Sequence, residues 1–188
     1  MVHRVAVFLL ALGVAAQARI EFTPTPFFVQ FEGFRVQQPG FRDGEALVTF
    51  APPSGWTLDG AGAVLNLVPK DFAMAMARVE SRRLGTAAVD AEESLKFARD
   101  YFAQMLPNGA TGLKWEPEVE RNPVLLNKHE TVRLEATYSA VGQSFRATVI
   151  LCNLADQQLI FVVGGRERDF PKLYEAWRRS LFTWQGLK

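Results

Sequence analysis

Thr131-Val132-Arg133-Leu134-Glu135-Ala136-Thr137-Tyr138-Ser139 and Ser144-Phe145-Arg146-Ala147-Thr148-Val149-Ile150-Leu151-Cys152 flank the four residues Ala140-Val141-Gly142-Gln143. Both runs alternate with period two, the pattern of half-buried strands. If Val141 and Gly142 form a two-residue loop, Ala140 faces Gln143. Val132 then pairs with Leu151, Leu134 with Val149, Ala136 with Ala147 and Tyr138 with Phe145. That face is wholly apolar, which pins the register, because a one-residue slip would carry every apolar group to the other side. The opposite face pairs Thr131 with Cys152, Arg133 with Ile150, Glu135 with Thr148 and Thr137 with Arg146. Gln157 to Val163 follows as a third strand, apolar on both parities and therefore covered on both faces. Gly164-Gly165 is expected to end it.

Downstream of this meander, Asp169 is placed to cap a helix from Phe170 to Thr183. Phe170, Leu173, Tyr174, Trp177 and Leu181 form its apolar stripe. Upstream, Asp90 to Leu106 reads as a helix, with Asp90 and Glu93 spaced as a capping box and Ala91, Leu95, Ala98, Phe102 and Met105 on one face. Pro107-Asn108-Gly109 stops it. Leu113 to Glu120 alternates around Trp115 and Val119 as a strand, its carboxylates Glu116, Glu118 and Glu120 facing solvent. Glu45 to Phe50, Val64 to Val68 and Phe72 to Arg82 are further strands. In the last, strict alternation outweighs the helix preference of its Ala and Met residues. Pro39-Gly40, Asp43-Gly44 and Asp59 to Gly62 read as turns. Residues 19–33, with Pro24 and Pro26 among aromatics, read as an extended N-terminal arm or edge strand. Residues 34–188 then form one α+β domain, a mostly antiparallel sheet with helices packed on it.

A strand ending in Pro53-Ser54-Gly55-Trp56, two further strands, a helix opening near Glu93-Ser94-Leu95, a meander, and a last helix running into Ser180-Leu181-Phe182 make up a familiar order. It resembles the PsbP-like group, which includes the photosystem II extrinsic PsbP proteins, the Mog-type Ran-binding proteins and bacterial exported DcrB-like proteins. The resemblance runs from Phe34 to Trp184 and implies an α-β-α sandwich with a non-enzymatic binding or assembly role. It carries no catalytic residue across. The lipid-anchor cysteine of the bacterial lipoprotein members has no counterpart here.

The chain opens as a leader. Met1 to Arg4 is short and basic, Val5 to Ala15 is apolar and uncharged, and Ala16-Gln17-Ala18 is an A-x-A step. This is the pattern of a secretory signal peptide over residues 1–18, and its apolar run falls short of the roughly 20 residues needed to span a bilayer. The expected product is periplasmic or secreted after cleavage near Ala18, without a membrane span. About 170 residues remain, enough for one domain with a real core. Arg4 would leave with the leader, so basic and acidic residues balance, which argues against nucleic acid or anionic membrane as a partner. With Cys152 the only cysteine, no internal disulfide can form.

Candidate chemistry is sparse. His129 is the one histidine beyond the leader. In the register above it would face Leu154, diagonal to Cys152, where an imidazole could activate a thiol. A buried structural cysteine is the preferred reading. Gly142-Gln143-Ser144 lacks the closing glycine and the strand-to-helix elbow of a serine hydrolase. One His and one Cys give no zinc spacing. No catalytic residue, metal or cofactor is therefore expected. Exposed aromatics often mark binding patches, and Trp115, Phe27, Phe28 and Phe31 are the candidates for contact with an envelope or secreted protein partner; core packing by an arm folded over the sheet is the favoured reading of the crowded phenylalanines. A small-molecule or lipid carrier with an apolar pocket at Phe72, Met74, Met76 and Phe102 is the alternative, and an enzyme of unrecognised type the third.

Overall fold

The structure, a computed structural model, describes residues 20–85 and 87–187. The expected leader and its cleavage step lie outside the described residues. Eleven strands and two helices follow one another as β1 (Ile20–Phe31), β2 (Phe34–Asp43), β3 (Ala46–Thr49), β4 (Thr57–Ala61), β5 (Val64–Val68), β6 (Met76–Arg83), α1 (Glu92–Met105), β7 (Thr111–Trp115), β8 (Glu120–Arg121), β9 (Thr131–Ala140), β10 (Gln143–Asn153), β11 (Gln157–Arg166) and α2 (Phe170–Leu181). The main sheet runs β4-β5-β6-β11-β10-β9-β7, with β8 also on β9, and a small sheet runs β1-β2-β3. The strand pairs are antiparallel, so the fold is α+β as expected.

The meander has the expected register, from Gln143↔Ala140 through Val149↔Leu134 to Cys152↔Thr131. Its two-residue loop places Val141 at φ 50 and Gly142 at φ 69, the left-handed pair that a tight hairpin demands. A β-branched residue is ill suited to that region, and the Val141 side chain is left exposed.

Strand β11 is buried on both faces. Leu159, Phe161 and Val163 join the core under α2 and the small sheet, while Ile160 and Val162 join the core under α1. The helices thus cover opposite faces of the main sheet, each through the stripe its periodicity predicts. Leu95, Ala98 and Phe102 are buried on α1, and Phe170, Leu173, Trp177 and Leu181 on α2.

Several local expectations are corrected. Neither Asp90 nor Asp169 caps through its side chain. α1 is preceded by Ala91, and Asp90 pairs with Arg121 at 2.8 Å. Ser94 Oγ instead donates to the Ala88 carbonyl at the helix start (2.7 Å). β6 begins at Met76, because Phe72 to Ala75 forms turns with Met74 at φ 63. Gly164-Gly165 does not end β11, which runs through to Arg166. A Cβ on Gly165 would lie 2.7 Å from Leu173 Cδ2 and one on Gly164 3.1 Å from Ala147 Cβ, so these glycines admit close packing. Likewise Pro39-Gly40 lies inside β2 and Asp59-Gly60 inside β4. The expected strand over Leu113 to Glu120 is split, with residues 116–119 arching between β7 and β8 around Pro117, which cannot donate to a ladder.

Candidate functional site

Two places stand apart from the packed layers. The first is the far end of the β1–β2 ribbon. The predicted arm does not lie alone; it turns at Glu32-Gly33 and pairs back on Phe34–Asp43, from Phe31↔Phe34 down to Thr25↔Gly40. Glu32 (φ 47) and Gly33 (φ 84) supply the left-handed turn. β3 pairs only with Gly40–Asp43, so from Pro39 to Phe34 the ribbon has two strands and no third among the described residues. Such a ribbon spans roughly 20 Å and is marginally stable alone in water.

Its side chains are conspicuously apolar. Phe34 is 74% exposed and Phe28 45%, and Phe27 and Val36 are exposed as well. Phe27, Phe34 and Val36 share one face by register. Phe28 is on the other, where the Arg35 guanidinium sits 4.2 Å above its ring. Of the four predicted contact residues, Phe27 and Phe28 are on this surface. The Phe31 side chain lies outside the described part of the structure. Trp115 is elsewhere, half-buried at the edge strand β7 with its ring edge-to-face on Phe102 at 5.6 Å.

The second place is a cleft of about 730 Å³ beneath the 116–119 arch. Its lining includes Arg133, Glu135 and Arg146 from β9 and β10, with Glu116, Glu118 and Glu120 from the arch and β8. Arg133 reaches Glu120 at 2.7 Å and Glu135 at 3.7 Å, and also lies over the Tyr174 ring of α2 at 5.2 Å. Arg146 Nε is 3.2 Å from Glu135 Oε1 but not in line for a hydrogen bond. Glu116, Glu118 and Glu120 are solvent-exposed as expected, and they also border this cleft. The register places Arg133, Glu135 and Arg146 on one sheet face. What the spacing does not reveal is that the apolar cover of that face stops short of them.

The remaining candidates are dispersed. Cys152 is fully buried, and burial pushes its thiol up to about 12. The β9–β10 ladder ends at Thr131↔Cys152, and His129 turns away into a bridge with Leu126, so the register does not extend to a His–Cys pair. Cys152 should therefore react with a neutral thiol reagent at pH 8 at least about 100-fold more slowly in the native protein than in denaturant, because the thiolate is the nucleophile. Equal rates, read by absorbance of the released thiol, would contradict its burial. The four residues of the expected carrier pocket are also separated. Phe72 packs with the core under α2, Met76 and Phe102 with the core under α1, and Met74 is exposed. No group of three or more His, Cys, Asp or Glu residues able to hold a metal occurs among the described residues. No described helix is long and apolar enough to cross a membrane.

No protein-family model matches the chain, and no curated protein does. Among solved structures it is similar to LpqN of Mycobacterium tuberculosis, a protein involved in cell envelope biogenesis. The TM-score is 0.55 at 11% identity, covering 88% of this chain and 92% of LpqN. It is also similar to PA94 of Pseudomonas aeruginosa, a protein of unknown function, with a TM-score of 0.41 at 14% identity over 84% of this chain and 94% of that one. The LpqN likeness establishes a shared fold.

Proposed function

We propose that this chain is an exported, non-enzymatic binding module of the cell envelope that docks a protein partner through the β1–β2 ribbon. One observation carries the reading: a two-stranded ribbon presents Phe27, Phe34 and Val36 on one face and Phe28 on the other, with no third strand beside its tip among the described residues. Open strand edges flanked by aromatic side chains suit strand addition, where main-chain hydrogen bonds give affinity and side-chain pockets give choice of partner. The leader, the PsbP-like element order and the envelope role of LpqN support the setting. The sealed Cys152 supports a binder rather than a thiol catalyst.

A photo-crosslinking residue at Phe34 should yield a discrete adduct in intact cells. Phe27→Asp/Phe28→Asp should abolish it while shifting stability by no more than about 0.5 kcal/mol, as is usual for surface sites. The control is the same probe at Phe182, which is also exposed but lies at the C-cap of α2. Equal adducts from both positions, or an adduct that survives the aspartates, would overturn the proposal.

A further inference from the structure

We infer that the partner of the ribbon is a second copy of this chain, paired edge to edge through β2 about a two-fold axis at Val36; the inference rests on the docking role proposed for the ribbon. Its basis is the direction of the backbone groups. In an antiparallel ladder successive residues point their N–H and C=O to opposite neighbours. Phe31 and Phe34 close the two-residue turn and so exchange bonds, which turns Phe34, Val36 and Gln38 toward β1. The other end of β2 agrees. Thr49 exchanges its backbone bonds with Gln185, away from β2, so its ladder partner Gly40 also points to β1. Arg35 and Gln37 therefore aim their N–H and C=O groups at the side where β3 has ended, while Pro39 has no N–H to aim. Both residues are exposed.

A second β2 complements this edge in one register. With Val36 facing the second copy's Val36, Arg35 faces its Gln37 and Gln37 faces its Arg35. The outward N–H groups of Arg35 and Gln37 in both copies then all find carbonyls. Side chains match as well. Val36 meets Val36 in a close pair with Phe34 diagonal to it, extending the apolar face. On the other face Arg35, which makes no ion pair among the described residues, meets the acceptor oxygen of the Gln37 amide. Centring the axis on Arg35 would oppose two guanidinium groups. Centring it on Gln37 would set Phe34 against Gly40, where β3 already pairs. The β1 edge matches itself less well. Its outward residues include Pro26, preceded by Pro24, and self-pairing of Phe28 with Gln30 sets an apolar ring against an amide. Pairing therefore stops at two chains, in a four-stranded β1-β2-β2-β1 sheet, where the lone ribbon is marginal. A contact of residues 34–38 belongs with the small interfaces, below about 1,200 Å² in total, so the dimer should be weak and concentration-dependent.

Sedimentation equilibrium of the chain purified after export tests this. The expected result is a monomer–dimer equilibrium without larger species, with a Kd on the order of 10–100 µM. Gln37→Glu sets a carboxylate against Arg35 at both symmetric positions and should tighten it about 3-fold or more. Gln37→Pro removes the outward N–H and should weaken it at least about 10-fold. Gln30→Pro, the same change on the outer edge of β1, should leave it unchanged. Neither N–H is bonded across the ribbon, so both proline variants should keep the unfolding midpoint. Val36→Cys should link two chains in oxidised glutathione at least about 10-fold faster than Val68→Cys, which is likewise exposed but lies on β5. Opposed residues of a non-hydrogen-bonded pair have Cα atoms about 4.5 Å apart, within disulfide reach, and the native Cys152 is buried. A chain that stays monomeric to about 1 mM, association indifferent to Gln37→Glu and Gln37→Pro, or equal linking of the two cysteine variants would overturn the inference. The Phe34 photo-crosslink separates it from the docking reading. An adduct of two copies of this chain supports both, an adduct with a different protein overturns only the second copy as partner, and no adduct overturns both.

Discussion

Truncating Trp184 to alanine is expected to lower the unfolding free energy by about 3–5 kcal/mol, the range for large-to-small replacement of a buried aromatic. The residue is 3% exposed and stacks on Phe50, with ring centroids 4.6 Å apart at an interplanar angle of 13°. Phe41 lies parallel at 6.4 Å, while Phe22 and Phe161 meet it edge-on at 6.4 Å and 5.4 Å. Phe22, Phe41 and Phe50 come from the small sheet and its exit, whereas Phe161 is in the middle of β11. One indole thus joins the small sheet to the main one. Its Nε1 has no hydrogen-bond partner, so the loss on truncation is one of packing. Trp184→Phe keeps a ring in the stack and should cost markedly less. Because the contact joins two layers, the loss should be local. Amides of β1 to β3 should gain hydrogen exchange ahead of those in β9 to β11. A shift below about 1 kcal/mol, well under the usual range, or exchange that rises evenly across the chain, would contradict this role.

The C-terminal segment that carries Trp184 is itself tied to the small sheet. Thr49 and Gln185 exchange backbone hydrogen bonds of 3.1 and 2.9 Å, and Asn127 Nδ2 donates to the Leu187 carbonyl (2.7 Å). A Cβ on Gly186 (φ +81) would lie 2.2 Å from the Leu47 carbonyl oxygen. Ser180 Oγ, from the last turn of α2, donates to the Ala51 carbonyl just beyond β3. The small sheet is therefore held on one side by the chain's end. Its far ribbon, which has the exposed phenylalanines, projects from this anchored base.

How much of this is legible in the sequence depends on the range of the interaction that decides each element. The β9–β10 register can be read to the residue because a wholly apolar face and a two-residue loop both act locally and agree. Helix α2 is equally plain from its stripe. The glycines mislead for the opposite reason. Gly40, Gly60, Gly164 and Gly165 look like turn residues, but each lies within a strand, and at each a Cβ would meet another segment at 3.1 Å or less. Which segment approaches is a long-range fact with no trace in neighbouring residues. The cleft follows the same rule. Arg133, Glu135 and Arg146 can be placed on one face from spacing alone. That α2 and the small sheet leave this corner uncovered, and that Pro117 lifts an arch over it, depends on tertiary packing. Phe27 and Phe28 are legible as candidates because they crowd a short stretch. The contact of Trp115 with Phe102 on α1 is not legible, because its neighbours in sequence are charged.

Gly60→Ala should cost about 3 kcal/mol or more by forced separation of packed backbone. A Cβ there would lie 2.1 Å from the Phe22 carbonyl oxygen and 3.2 Å from its carbon. Both belong to backbone, which cannot swing aside as a side chain tip can. Beside that contact, the Phe22 N–H donates to the Gly62 carbonyl (2.7 Å) and the Gly62 N–H donates to Glu21 Oε1 (2.7 Å). The Glu21 carboxyl is held below the usual carboxylate range by the Thr23 hydroxyl and by this Gly62 N–H. These bonds seat the base of β1 against the β4–β5 turn, and the added methyl would pry them apart. Gly62 is the natural comparison. It has a left-handed φ of +57 with open space around its Cβ position, so alanine there meets only backbone strain of about 1–2 kcal/mol. From sequence the two glycines belong to one turn signal; from structure Gly60→Ala should cost clearly more. Thermal or denaturant unfolding of the two variants decides the order, and a Gly60→Ala cost no greater than that of Gly62→Ala would sink the argument. The consequence reaches the proposed docking surface. Gly60→Ala leaves Phe27, Phe28 and Phe34 untouched but frees the base of the ribbon, so the Phe34 crosslink should weaken even in the fraction that remains folded. Gly62→Ala, with β1 still seated, should retain it.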